Sequence, residues 1–135
     1  MIVLDASAAV ELILRKPAAV RIKEILAANL PIAVPAHFEA EAFAAVRRLL
    51  LQRAIESPRA GLAVRDLAAL PGARVPLAPL LGRAFALRDR FEAHDVFYVA
   101  LAEAARASVL TCDARLARAL SGWLTTHFVL PRTDA

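Results

Sequence analysis

Short apolar runs alternate with longer stretches of helical spacing along this chain. Ile2-Val3-Leu4 is an uninterrupted apolar run that stops at Asp5, the pattern of a strand buried on both faces. Ser7 to Arg15 then reads as a helix closed by Pro17, and Ala18 to Ala28 as a second, with Val20, Ile22, Ile25 and Leu26 as its apolar set. Ile32-Ala33-Val34, bracketed by Pro31 and Pro35, predicts a second strand, and Ala36 to about Ala54 a long helix. Pro58 suits the first turn of a helix that runs to about Leu70. Pro71-Gly72 predicts a turn, and Arg74-Val75 a short strand. Helices are expected over Pro79–Phe91, Asp95–Ala107 and Ala114–Leu120, and strands over Val109–Thr111 and His127–Val129. Strands separated by crossover helices predict an α/β fold: a three-layer α/β/α sandwich with a central, mainly parallel sheet of about five short strands. The expected organisation is one domain over residues 1–135.

Composition narrows the classes. The 135 residues are 59% hydrophobic, enough for one continuous core and too apolar for a disordered chain. Four glycines exclude a collagen-like or linker protein. The net charge of +4 is compatible with a polyanionic partner without demanding one. A single cysteine, Cys112, excludes an intrachain disulfide and a cysteine-cluster zinc site, and it fits a small buried position in a cytosolic protein. The N-terminal apolar run has no basic flank and meets Asp5 at once, so no signal peptide is expected. No run reaches the roughly 18 apolar residues of a membrane span. The apolar surplus, concentrated in segments 36–51 and 58–70, points to a face covered by a partner.

The informative polar residues are acids. Asp5 and Asp113 each follow a predicted strand and precede a predicted helix, and Asp95 opens a strongly apolar helix. In an open parallel sheet, ligands bind beyond the carboxyl ends of the strands, where strand order reverses. Asp5 and Asp113 belong to that edge. If their strands are neighbours, the carboxylates repel, and a hard divalent cation such as Mg²⁺ or Mn²⁺ relieves the repulsion. Such an ion activates water and stabilises charge on a phosphodiester. The competing explanation is ordinary helix capping, a role in which aspartate is favoured. A fourth acid comes from the long helix, where Glu39 and Glu41 stand at similar angles on either side of the stripe Phe38, Ala42, Ala45, Val46 and Leu49. Periodicity does not choose between them.

Four segments together resemble the PIN-domain ribonucleases of the VapC toxin type. They are Val3-Leu4-Asp5-Ala6-Ser7-Ala8; Pro35-Ala36-His37-Phe38-Glu39-Ala40-Glu41-Ala42 with Arg47-Arg48 behind it; His94-Asp95-Val96-Phe97-Tyr98-Val99-Ala100-Leu101-Ala102-Glu103; and Leu110-Thr111-Cys112-Asp113-Ala114-Arg115-Leu116-Ala117-Arg118-Ala119. The resemblance spans nearly the whole chain. It implies a compact α/β/α sandwich and an Mg²⁺- or Mn²⁺-dependent endoribonuclease that leaves a 5′-phosphate and a 3′-hydroxyl. It also implies a cognate antitoxin and a homodimer. The family's acids fall on Asp5, Glu41, Asp95 and Asp113, with Glu41 chosen over Glu39 by its place ahead of the arginine pair. Asp5 and Asp95 are the first choices for direct metal contact, with Glu41 and Asp113 completing the shell. Two positions depart from the common pattern: Ala44 replaces an asparagine found in many relatives, and His94 a frequent tyrosine.

Secondary candidates surround these acids. Ser7 and Thr111 are placed to orient a carboxylate or a metal-bound water, or else simply to start a helix and fill a strand. His94 is a candidate for phosphate contact or proton carriage, or is a polar residue at a helix start. His37 and His127 show no partner spacing. Arg15, Arg47, Arg48, Arg115 and Arg118 are candidates for an RNA-binding rim, since guanidinium matches phosphate with two hydrogen bonds, or else they pair with acidic neighbours. The alternative function is a catalytically weak, PIN-like protein-binding module that works through its partner interface. A receiver domain is excluded because no lysine follows residue 23, and a P-loop hydrolase because the Gly-Lys-Ser/Thr loop is absent.

Overall fold

The computed structural model describes residues 1–131. In chain order its elements are β1 (Ile2–Leu4), α1 (Ala6–Ile13), α2 (Ala19–Ala28), β2 (Ile32–Pro35), α3 (Phe38–Leu51), α4 (Ser57–Ala69), β3 (Ala73–Val75), α5 (Leu81–Ala86), α6 (Asp95–Ala105), β4 (Ser108–Thr111), α7 (Ala114–Leu120) and β5 (Thr126–Phe128). A single 3₁₀ turn, Ala78–Leu80, leads into α5.

The five strands form one wholly parallel sheet in the order β3-β2-β1-β4-β5. β1 is central because it is apolar on both faces: Ile2, Val3 and Leu4 are at most 1% exposed. Helices cover both faces. α6 lies against β1, β2 and β4 with α5 beside it, while α1 meets β4 and carries α2, α3 and α4. α6 is apolar nearly all round and is correspondingly buried at Val96 and from Tyr98 to Ala102. The expected three-layer α/β/α sandwich is therefore the observed fold.

The departures are local. β3 begins at Ala73, and β5 occupies Thr126–Phe128 in place of His127–Val129. The Val129 N–H still reaches Thr111 O at 3.1 Å, so the strand pattern fades rather than stops there. The single helix expected over 79–91 is broken: a 3₁₀ turn, α5, then turns from Leu87. Leu80, Ala84, Leu87 and Phe91 are all buried, so helical and merely turn-like backbone present the same apolar stripe. Gly72 makes the predicted turn into β3 with φ +133°, where an added Cβ would stand 3.0 Å from Ile32 O.

Candidate active site

The strand order reverses at β1, since the chain passes from β1 to β2 and β3 on one side and to β4 and β5 on the other. That arrangement opens a crevice at the carboxyl ends of β1 and β4. β1 and β4 stay in register to Leu4 opposite Leu110, and the Asp5 N–H extends the ladder by donating to Leu110 O at 2.9 Å. Asp5 is thereby pinned at the lip of the sheet. Asp113 stands two residues beyond the end of β4. α3 begins just after β2 and presents Glu41 from its first turn, and α6 presents Asp95 as its first residue. All four acids line one cleft, with Ser7, Ala44, Arg48, Glu92, His94 and Arg115 among the other walls. Glu39 does not join them, because its carboxylate takes the Arg74 Nε–H at 2.6 Å. Geometry thus separates the two glutamates that periodicity left equivalent.

Asp5 is only 4% exposed and makes no side-chain cap on the helix it precedes. Its Oδ2 accepts from Ser7 Oγ at 2.5 Å and from Thr111 Oγ1 at 2.8 Å. Ser7 Oγ itself accepts the Cys112 N–H at 2.9 Å, and Thr111 Oγ1 accepts the Asp113 N–H at 3.0 Å. Each hydroxyl therefore spends its oxygen on backbone and its proton on Asp5. Burial still dominates and raises the Asp5 pKa above the ordinary carboxylate range. The two hydroxyls oppose that rise, and the charge of Asp113 adds to it.

The neighbouring acids respond alike. Burial, then the charges of Asp5 and Asp95, push the Glu41 carboxyl up to about 7. Its Oε2 is buried and accepts no hydrogen bond from the described residues. Burial and Asp5 push Asp95 up to about 6, against the pull of Arg115. Asp113 is wired differently: its Oδ1 accepts the N–H groups of Arg115 at 2.9 Å and Leu116 at 3.4 Å, so it caps α7. The Arg115 guanidinium pairs with Glu92 and lies 3.2 Å from Asp113 Oδ2 and 3.5 Å from Asp95 Oδ2. Five carboxylates (Asp5, Glu41, Glu92, Asp95, Asp113) thus face two guanidiniums (Arg48, Arg115) in the cleft. Beside them Cys112 is buried as expected, with its thiol pushed up to about 12 by burial and then by Glu11 and Asp5.

The structure sorts the arginines and histidines. Arg48 and Arg115 line the cleft, whereas Arg47 and Arg118 are exposed outside its lining. Arg15 is elsewhere, 3.3 Å from Asp66 in a groove with Leu12, Leu26 and Leu70. His37 has partners that the sequence reading did not assign. Its ring packs on His94, Phe97 and Tyr98, and its Nε2 lies 3.1 Å from His94 O and 3.8 Å from Glu41 Oε2. The available signal was its spacing four residues ahead of Glu41, one helical turn. Burial lowers the His37 pKa.

The PIN-domain family model matches residues 2–120, a span holding every cleft residue. The chain belongs to the PIN-domain family. Within that family it groups with the VapC ribonucleases. It is 41% identical to Ribonuclease VapC12 of Mycobacterium tuberculosis over 118 residues, 87% of this chain and 91% of the relative. It is 35% identical to Ribonuclease VapC3 of the same organism over 128 residues, 95% and 91% of the two chains. Two solved structures share the fold at low identity. VapBC2 from Rickettsia felis, bound to a promoter DNA fragment, superposes with a TM-score of 0.66 at 18% identity, covering 95% of this chain and 98% of that one. M. tuberculosis VapC20, described as a sarcin-ricin loop cleaving toxin, gives 0.65 at 17% identity, covering 88% and 95%. The resemblance read from the four sequence segments is the family the PIN-domain chain belongs to.

Proposed function

We propose that this PIN-domain protein is a divalent-metal-dependent endoribonuclease, the toxin of a toxin–antitoxin pair. The observation that carries the reading is the convergence of Asp5, Glu41, Asp95 and Asp113 on one cleft, with the carboxyl groups of Asp5, Glu41 and Asp95 all raised by burial and by the charge of neighbouring acids. The donors fit a hard divalent ion: they are all carboxylate oxygens, and the buried Glu41 Oε2 accepts no hydrogen bond from the described residues. When bound, Mg²⁺ or Mn²⁺ supplies Lewis acidity that makes water a better nucleophile and offsets charge on the phosphodiester.

The chain's own residues do the rest. Asp5 and Asp95 would hold the ion directly, with Glu41 and Asp113 completing the shell. Ser7 and Thr111 fix the Asp5 carboxylate through Oδ2 and leave Oδ1 for the ligand. Glu41, entering from α3, would keep one carboxylate oxygen free to accept a proton from water. Arg48, exposed at the cleft wall, offers a two-pronged donor to substrate phosphate.

Antitoxin binding and homodimerisation belong to the same proposal. They are supported by VapC kinship and by apolar surface on α3 and α4, where Phe43 is 50% exposed, Leu51 64% and Leu62 38%. A cytoplasmic location fits this reading. Among the described residues no helix is long and apolar enough to cross a membrane. The deciding experiment is Asp5→Asn, assayed for RNA cleavage in Mg²⁺. Loss of cleavage by a folded variant is the expected result, and a variant as fast as the parent overturns the assignment.

A further inference from the structure

One wall of the cleft carries a second kind of donor. His37 immediately precedes α3, His94 immediately precedes α6, and Glu41 lies one turn into α3. Ligand atoms of these three residues lie within 4.8 Å of one another, and His37 Nε2 is 3.8 Å from Glu41 Oε2. Donors bound to one ion at about 2.1 Å stand roughly 3–3.5 Å apart, so side-chain rotations on the order of 1 Å close the set. His94 is exposed, and its ring turns without disturbing the core. One polar atom in the group, Glu41 Oε2, is buried without a hydrogen-bond partner among the described residues, and the ring nitrogen nearest it, His37 Nε2, lies 3.1 Å from His94 O, a contact that ion binding at Nε2 replaces. An atom in that condition calls for an explanation.

We propose that His37, His94 and Glu41 form a binding site for a borderline divalent transition ion of the Zn²⁺ class, adjoining the all-oxygen site. Imidazole favours Zn²⁺, Co²⁺ and Ni²⁺, whereas Mg²⁺ prefers carboxylate and water, so the two donor sets select different ions. Glu41 belongs to both sets. An ion held by the histidines engages the carboxylate that the acidic cleft uses, so the site is inhibitory, and by linkage each ion weakens the other's hold. The binding site goes beyond the ribonuclease reading and does not depend on it, because it is made by the histidines and one glutamate; only its inhibitory consequence rests on that reading.

The test is calorimetric titration of tag-free protein with Zn²⁺ in millimolar Mg²⁺, with Co²⁺ absorption bands as a second report on nitrogen ligation. The parent takes up one Zn²⁺ under these conditions. His94→Ala and His37→Gln each weaken it at least about tenfold, the lower end of what losing even an outer-shell partner costs. Asp5→Asn binds Zn²⁺ within a few-fold of the parent, which separates the two sites. Circular dichroism confirms that each variant is folded, and the exposed His94 supplies the variant least able to perturb the fold. No Zn²⁺ uptake in Mg²⁺, unchanged affinity in both histidine variants, or loss of Zn²⁺ binding in Asp5→Asn overturns the proposal. A protein that fails to cut RNA but shows this Zn²⁺ pattern refutes the ribonuclease reading and leaves the inference standing.

Discussion

Two corners of this molecule look alike in sequence and are built for different work. Asp5 and Asp113 each end a strand and begin a helix, at adjoining strands of one parallel sheet. Asp113 behaves as that position usually does: it caps α7 with two backbone bonds, and its side chain is 31% exposed. Asp5 is 4% exposed, leaves α1 without a side-chain cap, and takes both of its hydroxyl partners on one oxygen. One of those partners, Thr111, comes from the neighbouring strand. The comparison teaches that the same residue in the same local pattern is released for ligand duty when hydroxyls, one on its own helix and one on the neighbouring strand, hold it in place of a helix cap.

The largest expected effect follows directly. Asp5→Asn keeps the shape of the side chain and removes its charge. RNA cleavage in Mg²⁺ falls by about three orders of magnitude or more, equivalent to roughly 4 kcal/mol. Thermal stability without metal does not fall with it, because a buried charge among like charges is gone. A Tm drop matching the activity loss would identify Asp5 as a structural residue, and the contrast between the corners would fail.

Thr111→Val probes the link between the corners, since Thr111 both donates to Asp5 and accepts from the Asp113 N–H. The substitution preserves volume and removes both bonds. The apparent Mg²⁺ affinity weakens about 10- to 100-fold, as expected for loss of a group that orients a metal ligand. Stability also drops by about 1–3 kcal/mol, because a buried carboxylate oxygen loses one of its two hydroxyl donors and the Asp113 N–H loses its acceptor. Mg²⁺ titration of cleavage together with calorimetric melting separates the two effects.

How much of this was legible in the chain depends on distance in sequence. The buried strand Ile2-Val3-Leu4 announced itself by composition, and the alternation of strands with helices was enough for the layers of the sandwich. The acids at the strand ends were visible as candidates for the same reason. Which glutamate faces the cleft was not, because that choice rests on Arg74, 35 residues from Glu39, drawing it away. Helix periodicity fixes an angle around one axis and says nothing of what stands beside it. Arg15 takes the other role open to it, pairing away from the cleft with Asp66, and that partner is hidden for a similar reason, 51 residues away. His37 carried a one-turn signal to Glu41, but its packing on His94 and Phe97 is a product of the fold.

A pH experiment sharpens the comparison further. Glu41 rises from an ordinary 4.5 to about 7 on folding, and Asp95 from 3.8 to about 6. An acid with a raised folded-state pKa binds more protons folded than unfolded, so raising the pH through that interval favours the unfolded chain. With respect to these groups the metal-free protein is therefore most stable below about pH 4 and loses stability as the pH climbs to about 7. Discounted for partial exposure, the loss is about 2 kcal/mol, or roughly 5–10 °C in Tm. Melting curves in EDTA across this range measure it. Millimolar Mg²⁺ flattens the slope, and Asp5→Asn reduces it, because the Asp5 charge contributes to both shifts. His37, its pKa lowered by burial, acts in the opposite sense over the same range, so the decisive protein is His37→Gln: a Tm that rises from pH 5 to pH 7 in EDTA in that variant contradicts the crowding of these acids.

The smallest effect is the most discriminating, because it separates capping from charge at a single corner. Asn caps helices about as well as Asp, and Ala does not. At Asp113, where the cap is made, Asp113→Ala costs about 1 kcal/mol and Asp113→Asn only a few tenths. Both remove the carboxylate, so both weaken the Mg²⁺ dependence of cleavage to a similar extent. At Asp5, where the side chain makes no cap bond, the Ala and Asn variants differ in stability for another reason. Asn retains an acceptor for the Ser7 and Thr111 hydroxyls, and Ala strands them. A second substitution in each variant resolves the two causes. Adding Thr111→Val to the Asp5 pair removes one stranded hydroxyl and shrinks the Ala–Asn gap, while a cap-derived gap at Asp113 has no such dependence on Thr111, which meets only the Asp113 backbone N–H. Equal sensitivity of both corners to their hydroxyl neighbours would mean that Asp113 is held as Asp5 is, and that the cap observed on α7 is incidental.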